Sequence, residues 1–384
     1  MIDTDRRYIT DVLQRLVRIN SINPLLDTHG PGEAEIGAYV AGTLADLGLD
    51  VARHETEPGR VSVVGVLRGS GGGRSLMLNA HYDTVGVDGM ADPFSADIRD
   101  GRLYGRGAYD MKGSLAACVG ACAALVRAGT RPAGDIILAA VADEEHSSLG
   151  TMDIVTRYPV DGAIVTEPTS LRICLAHKGF EWIDIVTAGR AAHGSRPDLG
   201  IDANIRMGRV LAGLDELAAR LAAARTHPLL GAASLHAALL AGGTGRSTYA
   251  AESRLSIERR TIPGESQEQV ESEIEAVLEP LRTQDSTFQA TTHHVLSRPP
   301  FEARRDSTLV ATLARAAERV TGQPPEFVGE TPWMDSALLA AAGADTVVMG
   351  PHGEGAHAAV EWVDLASVGR LATVLAHTAL EYCG

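Results

Sequence analysis

Short apolar runs alternate with polar stretches along most of the chain, and the spacing of the apolar positions predicts its elements. Ile9, Val12, Leu13, Leu16 and Val17 recur at helical spacing behind Asp3 and Asp5, which suit the positive end of a helix dipole. Ile36, Val40, Leu44 and Leu47 repeat the pattern, and Gly48 stands where a helix needs a left-handed terminating residue. Apolar runs at 61–67, 76–79, 135–141 and 163–166 predict buried strands. A helix rich in small residues, from Ser114 to Ala128 and closed by Gly129, is expected to lie close to them. Three of these strands break off into functional-looking residues: His81-Tyr82-Asp83, Asp143-Glu144-Glu145 and Glu167-Pro168. Strand, helix and strand in alternation, with such residues at the strand ends, imply an α/β sheet with a site at its carboxyl edge.

The rhythm changes near His177. From Phe180 to about His293 the order is strand, long Ala/Leu helix (203–224), strands near Ser234 and at 253–260, helix (266–281) and strand. The α/β rhythm then resumes with a helix near 309–320, a strand at 346–349 and a last helix from about Asp364. The expected architecture is a mixed-sheet α/β domain with helices on both faces, built from residues 1–178 and 294–384. It is interrupted by a smaller α+β domain over residues 179–293.

Composition narrows the function. With 45% apolar and 22% charged residues the 384-residue chain has the make-up of a folded globular protein. A net charge of −15 and the absence of any long basic run exclude a nucleic-acid or anionic-membrane surface and leave small molecules as partners. Cys118, Cys122, Cys174 and Cys383 are neither spaced as zinc-finger ligands nor numerous enough for a disulfide framework. No apolar signal core opens the chain and no apolar stretch reads as bilayer-spanning, so a cytoplasmic location is expected.

Singly, a strand-end His-x-Asp, an Asp before a helix or a Glu pair in a loop is ordinary. Together, five motifs occur in order: His81-Tyr82-Asp83-Thr84-Val85, Gly105-Arg106-Gly107-Ala108-Tyr109-Asp110-Met111-Lys112-Gly113, Asp143-Glu144-Glu145, Thr166-Glu167-Pro168 and Gly355-Ala356-His357. In that order they resemble the metallopeptidase family that includes acetylornithine deacetylase, succinyl-diaminopimelate desuccinylase, aminoacylase and glutamate carboxypeptidase. The resemblance implies a catalytic domain holding two zinc ions, with cobalt or manganese as substitutes, and a dimerising lid. It implies His81 and Glu167 on one ion, Glu145 and His357 on the other, and Asp110 bridging. Imidazole and carboxylate suit zinc independently of any likeness. Glu144 is then the general base, and Asp83 orients the His81 ring by accepting its other N–H.

In the inserted domain, Gly189-Arg190-Ala191-Ala192-His193-Gly194-Ser195 resembles the family's lid motif, which implies that His193 stabilises the oxyanion, commonly across a dimer. Arg260 resembles the lid arginine and is read either as a substrate-carboxylate ligand or as a structural ion pair. Ser247-Thr248-Tyr249-Ala250 stands where relatives carry an Asn-containing segment. His352 competes with His357, and the resemblance implies His357, because the family's histidine is followed four residues later by an acid, here Glu361. Asp335, in Trp333-Met334-Asp335-Ser336, stands where relatives have a Gly/Ser/Thr-Asp turn near the site, which implies a supporting position for it. The expected activity is hydrolysis of the amide of an N-acyl amino acid by a metal-activated water. A dipeptidase or carboxypeptidase with the same site is the alternative in chemistry, and a metal-lacking small-ligand binder the alternative of another class.

Overall fold

The computed structural model describes residues 2–384. Contacts divide the chain into two compact units, one of residues 1–175, 303–328 and 334–384, the other of residues 176–302 and 329–333. The second unit runs beyond the expected bounds of 179–293 at both ends and includes Gly329–Trp333.

In the first unit a mixed sheet runs in the order Asp50–Glu57, Arg60–Leu67, Ile136–Val141, Leu76–His81, Gly162–Val165, Asp345–Val348, Ile173–His177. Leu76–His81 lies parallel to both Ile136–Val141 and Gly162–Val165, and the latter parallel to Asp345–Val348. These central strands are buried on both faces, which explains their continuous apolar runs. Helices Gly113–Arg127, Leu365–Cys383 and Thr308–Thr321 pack together on one side, while Ala34–Asp46, Leu149–Arg157 and Ser336–Ala341 pack along the other strands. Asp50–Glu57 carries no fully buried residue, and for that reason left no apolar signature in the sequence.

The segment Ala108–Arg127 is, by length and composition, long and apolar enough to cross a membrane, contrary to the sequence reading. Every residue from Gly113 to Leu125 is buried, however, and Gly120 sits where a β-carbon would lie 2.4 Å from Ile9 Cγ1. Its apolarity is that of a core helix pressed between Arg6–Arg18 and Leu365–Cys383.

A second, four-stranded antiparallel sheet in this unit runs Gly353–Glu354, Trp362–Asp364, Arg102–Tyr104, Asp97–Arg99. No strand of it is longer than three residues, too short to show periodicity in the sequence. The second unit holds a four-stranded antiparallel sheet, Ser234–Gly242, Glu252–Thr261, Gly179–Ala188, Gln289–Arg298, with helices Ala203–Ala223 and Gln267–Gln284 packed against it. Ile183 and Ile185 stand opposite Ile257 and Leu255 and join Val210, Leu214 and Ile274 in its core.

Candidate metal centre

Strand register gathers the first part of the site. His81 is paired with Val141, and Asn79 with Val165, so His81, the Asp143-Glu144-Glu145 turn and Glu167 leave the sheet at one carboxyl edge. Asp110 arrives on the irregular turn Ala108–Lys112, which opens at Gly107 with φ of 78°. A side chain at Gly107 would meet Thr84 Cγ2 at 2.7 Å, so only glycine lets this turn lie against the chain that follows His81. His357 is delivered by the small sheet: it sits in the loop between Gly353–Glu354 and Trp362–Asp364, and Trp362 pairs with Tyr104 on the strand leading toward Asp110. Asp143 and His357 themselves adopt left-handed backbone, with φ of 69° and 60°. Such conformations are uncommon outside glycine and concentrate at functional sites.

The side chains then converge about Asp110. His81 Nε2 lies 3.2 Å from Asp110 Oδ1, 3.5 Å from Glu167 Oε1 and 3.9 Å from Glu144 Oε2. His357 Nε2 lies 2.9 Å from Glu145 Oε2 and 3.4 Å from Asp110 Oδ2. Asp110 thus turns one carboxylate oxygen to each imidazole. Donor atoms of His81, Glu144 and Glu167 lie within 4.8 Å of one another, as do those of His81, Asp110 and Glu145. His81 is buried, whereas half of the His357 side chain is exposed.

Four carboxylates and two imidazoles share this small volume, and their protonation reflects the crowding. Burial and the charge of Glu167 push Glu144 well above the carboxylate range. Burial and the neighbouring Asp110 charge raise Glu145 to about 7, and burial raises Glu167 to about 8. Burial opposes the charged form of His81, but Glu167, Asp110 and Asp83 outweigh it and hold the ring well above its ordinary value. Contacts with Asp110 and Glu145 lift His357 to about 10. Burial would raise Asp110, yet the two imidazoles override it and hold its carboxyl low. A cluster whose anions keep protons for want of positive charge is one that fits divalent cations, and its imidazole and carboxylate donors are those zinc and its neighbours take.

Residues 77–381 match peptidase family M20/M25/M40. The chain belongs to this family. It is 32% identical over 337 residues to acetylornithine deacetylase of Myxococcus xanthus, which covers 85% of each chain. It is 31% identical over 281 residues to N-formyl-4-amino-5-aminomethyl-2-methylpyrimidine deformylase of Bacillus subtilis (strain 168), covering 68% of this chain and 65% of that one. In fold it is similar to aminopeptidase PepT of Bacillus cereus ATCC 10987, with a TM-score of 0.81 at 18% identity over 99% and 100% of the two chains. The YXEP protein of Bacillus subtilis, a dinuclear metal binding peptidase from the M20 family, aligns with a TM-score of 0.77 at 15% identity over 98% of each. This M20-family chain is a metal-dependent hydrolase acting on amide bonds.

Asp83 has a different emphasis from that expected. The atom nearest His81 Nδ1 is the backbone carbonyl of Asp83, at 3.1 Å, with the carboxylate Oδ1 at 3.5 Å. The carboxylate instead accepts the backbone N–H of Glu144 (3.1 Å) on Oδ1, and those of Glu145 (3.2 Å) and the Asn23 side chain (2.9 Å) on Oδ2. Asp83 therefore fixes the turn that sends Glu144 toward His81 and Glu145 toward His357. Behind it, Arg60 donates to Asn23 Oδ1, Glu33 Oε1 and Asp143 Oδ1, all buried. Asn23, Arg60 and Glu33 are functional neighbours that the sequence reading missed. They belong to no catalytic motif, and an Arg at the head of a buried strand is the one sequence signal that pointed to them.

Of the remaining candidates, Asp335 lies close enough to the cluster for its charge to bear on Glu144 and Glu167. His352 faces Ser170 and the edge of Trp362, so His357 is the histidine that reaches the cluster. Asp335 is buried, accepts a hydrogen bond from Thr151 at 2.5 Å, and is raised to about 6 by burial. In the second unit His193 is exposed, with Nδ1 2.8 Å from Ser195 Oγ, and its backbone bridges to Thr248. Arg260 donates to Glu258 at 2.7 Å and lies over the Phe180 ring.

Proposed function

We propose that the chain is a dinuclear zinc-dependent deacylase that removes a small acyl group from the nitrogen of an N-acyl amino acid. The observation that carries the metal arrangement is Asp110, whose two oxygens face His81 and His357 separately. In this reading His81 and Glu167 hold one ion, Glu145 and His357 the other, and Asp110 joins them. Two relatives at 31–32% identity support the acyl class, since both are named for removing a one- or two-carbon acyl group from nitrogen.

Bound metal supplies Lewis-acid polarisation of the scissile carbonyl and a water of lowered pKa. Glu144 would take a proton from the attacking water as the water oxygen bonds to the carbonyl carbon, and would return that proton to the nitrogen as the C–N bond breaks. Acid and free amine leave. His193 donates to the developing oxyanion and Arg260 turns from Glu258 to hold a substrate carboxylate. The test is hydrolysis of N-formyl, N-acetyl, N-succinyl and dipeptide substrates by metal-depleted protein resupplied with zinc, cobalt or manganese. Small acyl substrates are expected to be cleaved; activity confined to dipeptides would transfer the assignment to a dipeptidase. Glu144→Gln should keep its metal and lose about 10²–10⁴-fold in kcat, and full activity in that variant overturns the assigned base.

The homodimer is proposed on a feature of the second unit alone. Ser234–Gly242 is an edge strand whose Leu239 and Leu240 are 71% and 59% exposed. An unpaired edge carrying leucines is a template for a second copy of the same strand. Light scattering on the wild type and on Leu240→Lys checks it: a dimer that the variant splits is expected, and a monomeric wild type refutes it.

A further inference from the structure

Glu361 is 1% exposed, and its carboxylate is occupied by four donors from one segment. Oε1 accepts the backbone N–H groups of Tyr109 (2.9 Å) and Asp110 (3.1 Å). Oε2 accepts from the backbone of Gly107 (3.0 Å) and from Arg106 Nη1 (2.6 Å). Arg106, 2% exposed, spends its other donors elsewhere: Nε on the carbonyl of Gly86 at 2.9 Å, and Nη2 on the carbonyl of Ala358 at 3.1 Å. One buried ion pair therefore ties together three loops, namely the chain that follows His81, the turn that carries Asp110, and the loop that carries His357.

We propose that Arg106 and Glu361 are positioning residues that fix the distance from Asp110 to His357 and thereby hold the second metal position. The inference rests on the dinuclear reading above and adds to it. His81 and Glu167 emerge from buried, paired strands that hold their backbone in place. His357 has no such frame: half its side chain is exposed, its loop is anchored by a two-residue strand, and its neighbour Ala358 reaches Arg106 by a single contact. Asp110 likewise stands in an irregular turn, with Glu361 receiving its backbone N–H. Releasing the clasp should thus loosen the His357–Glu145 side most and the His81–Glu167 side less, since Asp110 serves both.

Glu361→Gln is the sharpest variant. Its shape is unchanged, but an amide N–H₂ must now face either the Gly107 and Arg106 donors or those of Tyr109 and Asp110, so one pair loses its acceptor. Metal-depleted wild type and variant are titrated with cobalt(II), read by visible absorption, with metal per chain measured independently. Wild type should take up two equivalents. In Glu361→Gln one of the two equivalents should lose about 10–100-fold in affinity, as removal of outer hydrogen-bond partners of ligands does, with the other affected much less. Arg106→Lys, which keeps the charge but drops the fork to Gly86 and Ala358, should show the same selective loss if Glu361→Gln does not fold. Two equivalents bound as in wild type, or both weakened alike, overturns the clasp while leaving the dinuclear reading intact. A wild type that binds fewer than two equivalents overturns that reading, and the clasp with it.

Discussion

Arg60→Met tests whether the site is held from behind. Arg60 Nη2 reaches Glu33 at 2.8 Å and Asp143 at 2.6 Å, and Nη1 reaches Asn23 at 2.9 Å, with the guanidinium 3% exposed. One cation thus serves two carboxylates. Burial and the charge of Asp83 raise Glu33 to about 8, and the shorter of the two contacts, Arg60 to Asp143, is the ion pair at issue. Methionine fills the same space and leaves Asp143 an uncompensated buried anion. Breaking a buried pair in this way costs about 3–5 kcal/mol. At roughly 2–4 °C per kcal/mol for a unit of this size, the melting temperature should fall by about 6–20 °C. Asp143→Asn added to Arg60→Met removes the stranded charge and should recover more than half of the loss. The link to chemistry runs through Asn23, which donates to Asp83 and Asp143 alike, each at 2.9 Å. Loosened, it lets the Glu144–Glu145 turn drift, and turnover should drop about 10–100-fold at saturating metal. Calorimetry or circular dichroism at matched metal concentration reads the first effect and steady-state kinetics the second. A folded Arg60→Met protein melting within about 1 °C of wild type would refute the assigned role.

Two further outcomes follow from the same geometry. His357→Ala should bind one metal equivalent fewer than wild type, whereas His352→Ala should bind the full complement; reversed stoichiometries would place the ligand at His352. Glu33 is raised from its ordinary value to about 8, so the stability it contributes is full below about 4.5 and is lost as pH climbs through 8. Glu33→Gln lacks that loss, and its melting temperature relative to wild type should therefore rise steadily from pH 5 to pH 8. A difference that stays flat across that window means Glu33 does not titrate there.

Much of the frame was legible in the order of residues. The helices at Arg6–Arg18 and Ala34–Asp46 and the buried strands Leu76–His81, Ile136–Val141 and Gly162–Val165 fell where apolar periodicity placed them, because one-sided or complete burial imposes its own spacing on a sequence. The strand-end positions of His81, Glu144, Glu145 and Glu167 followed from the same pattern. Asp50–Glu57 and the four short strands around Arg102–Tyr104 escaped it, being too exposed or too short to leave a period.

What the sequence determined by itself is thus the set of elements and the kinds of donor at their ends. Tertiary structure alone decided how these meet. That Asp110 offers separate oxygens to His81 and His357, that the Asp83 carboxylate grips the Glu144–Glu145 turn, and that Arg60 and Arg106 stand behind the two halves of the site cannot be read from spacing. A buried polar group needs a partner but not a partner near in sequence, so its hydrogen bonds are satisfied by whatever strand register and loop crossing bring alongside.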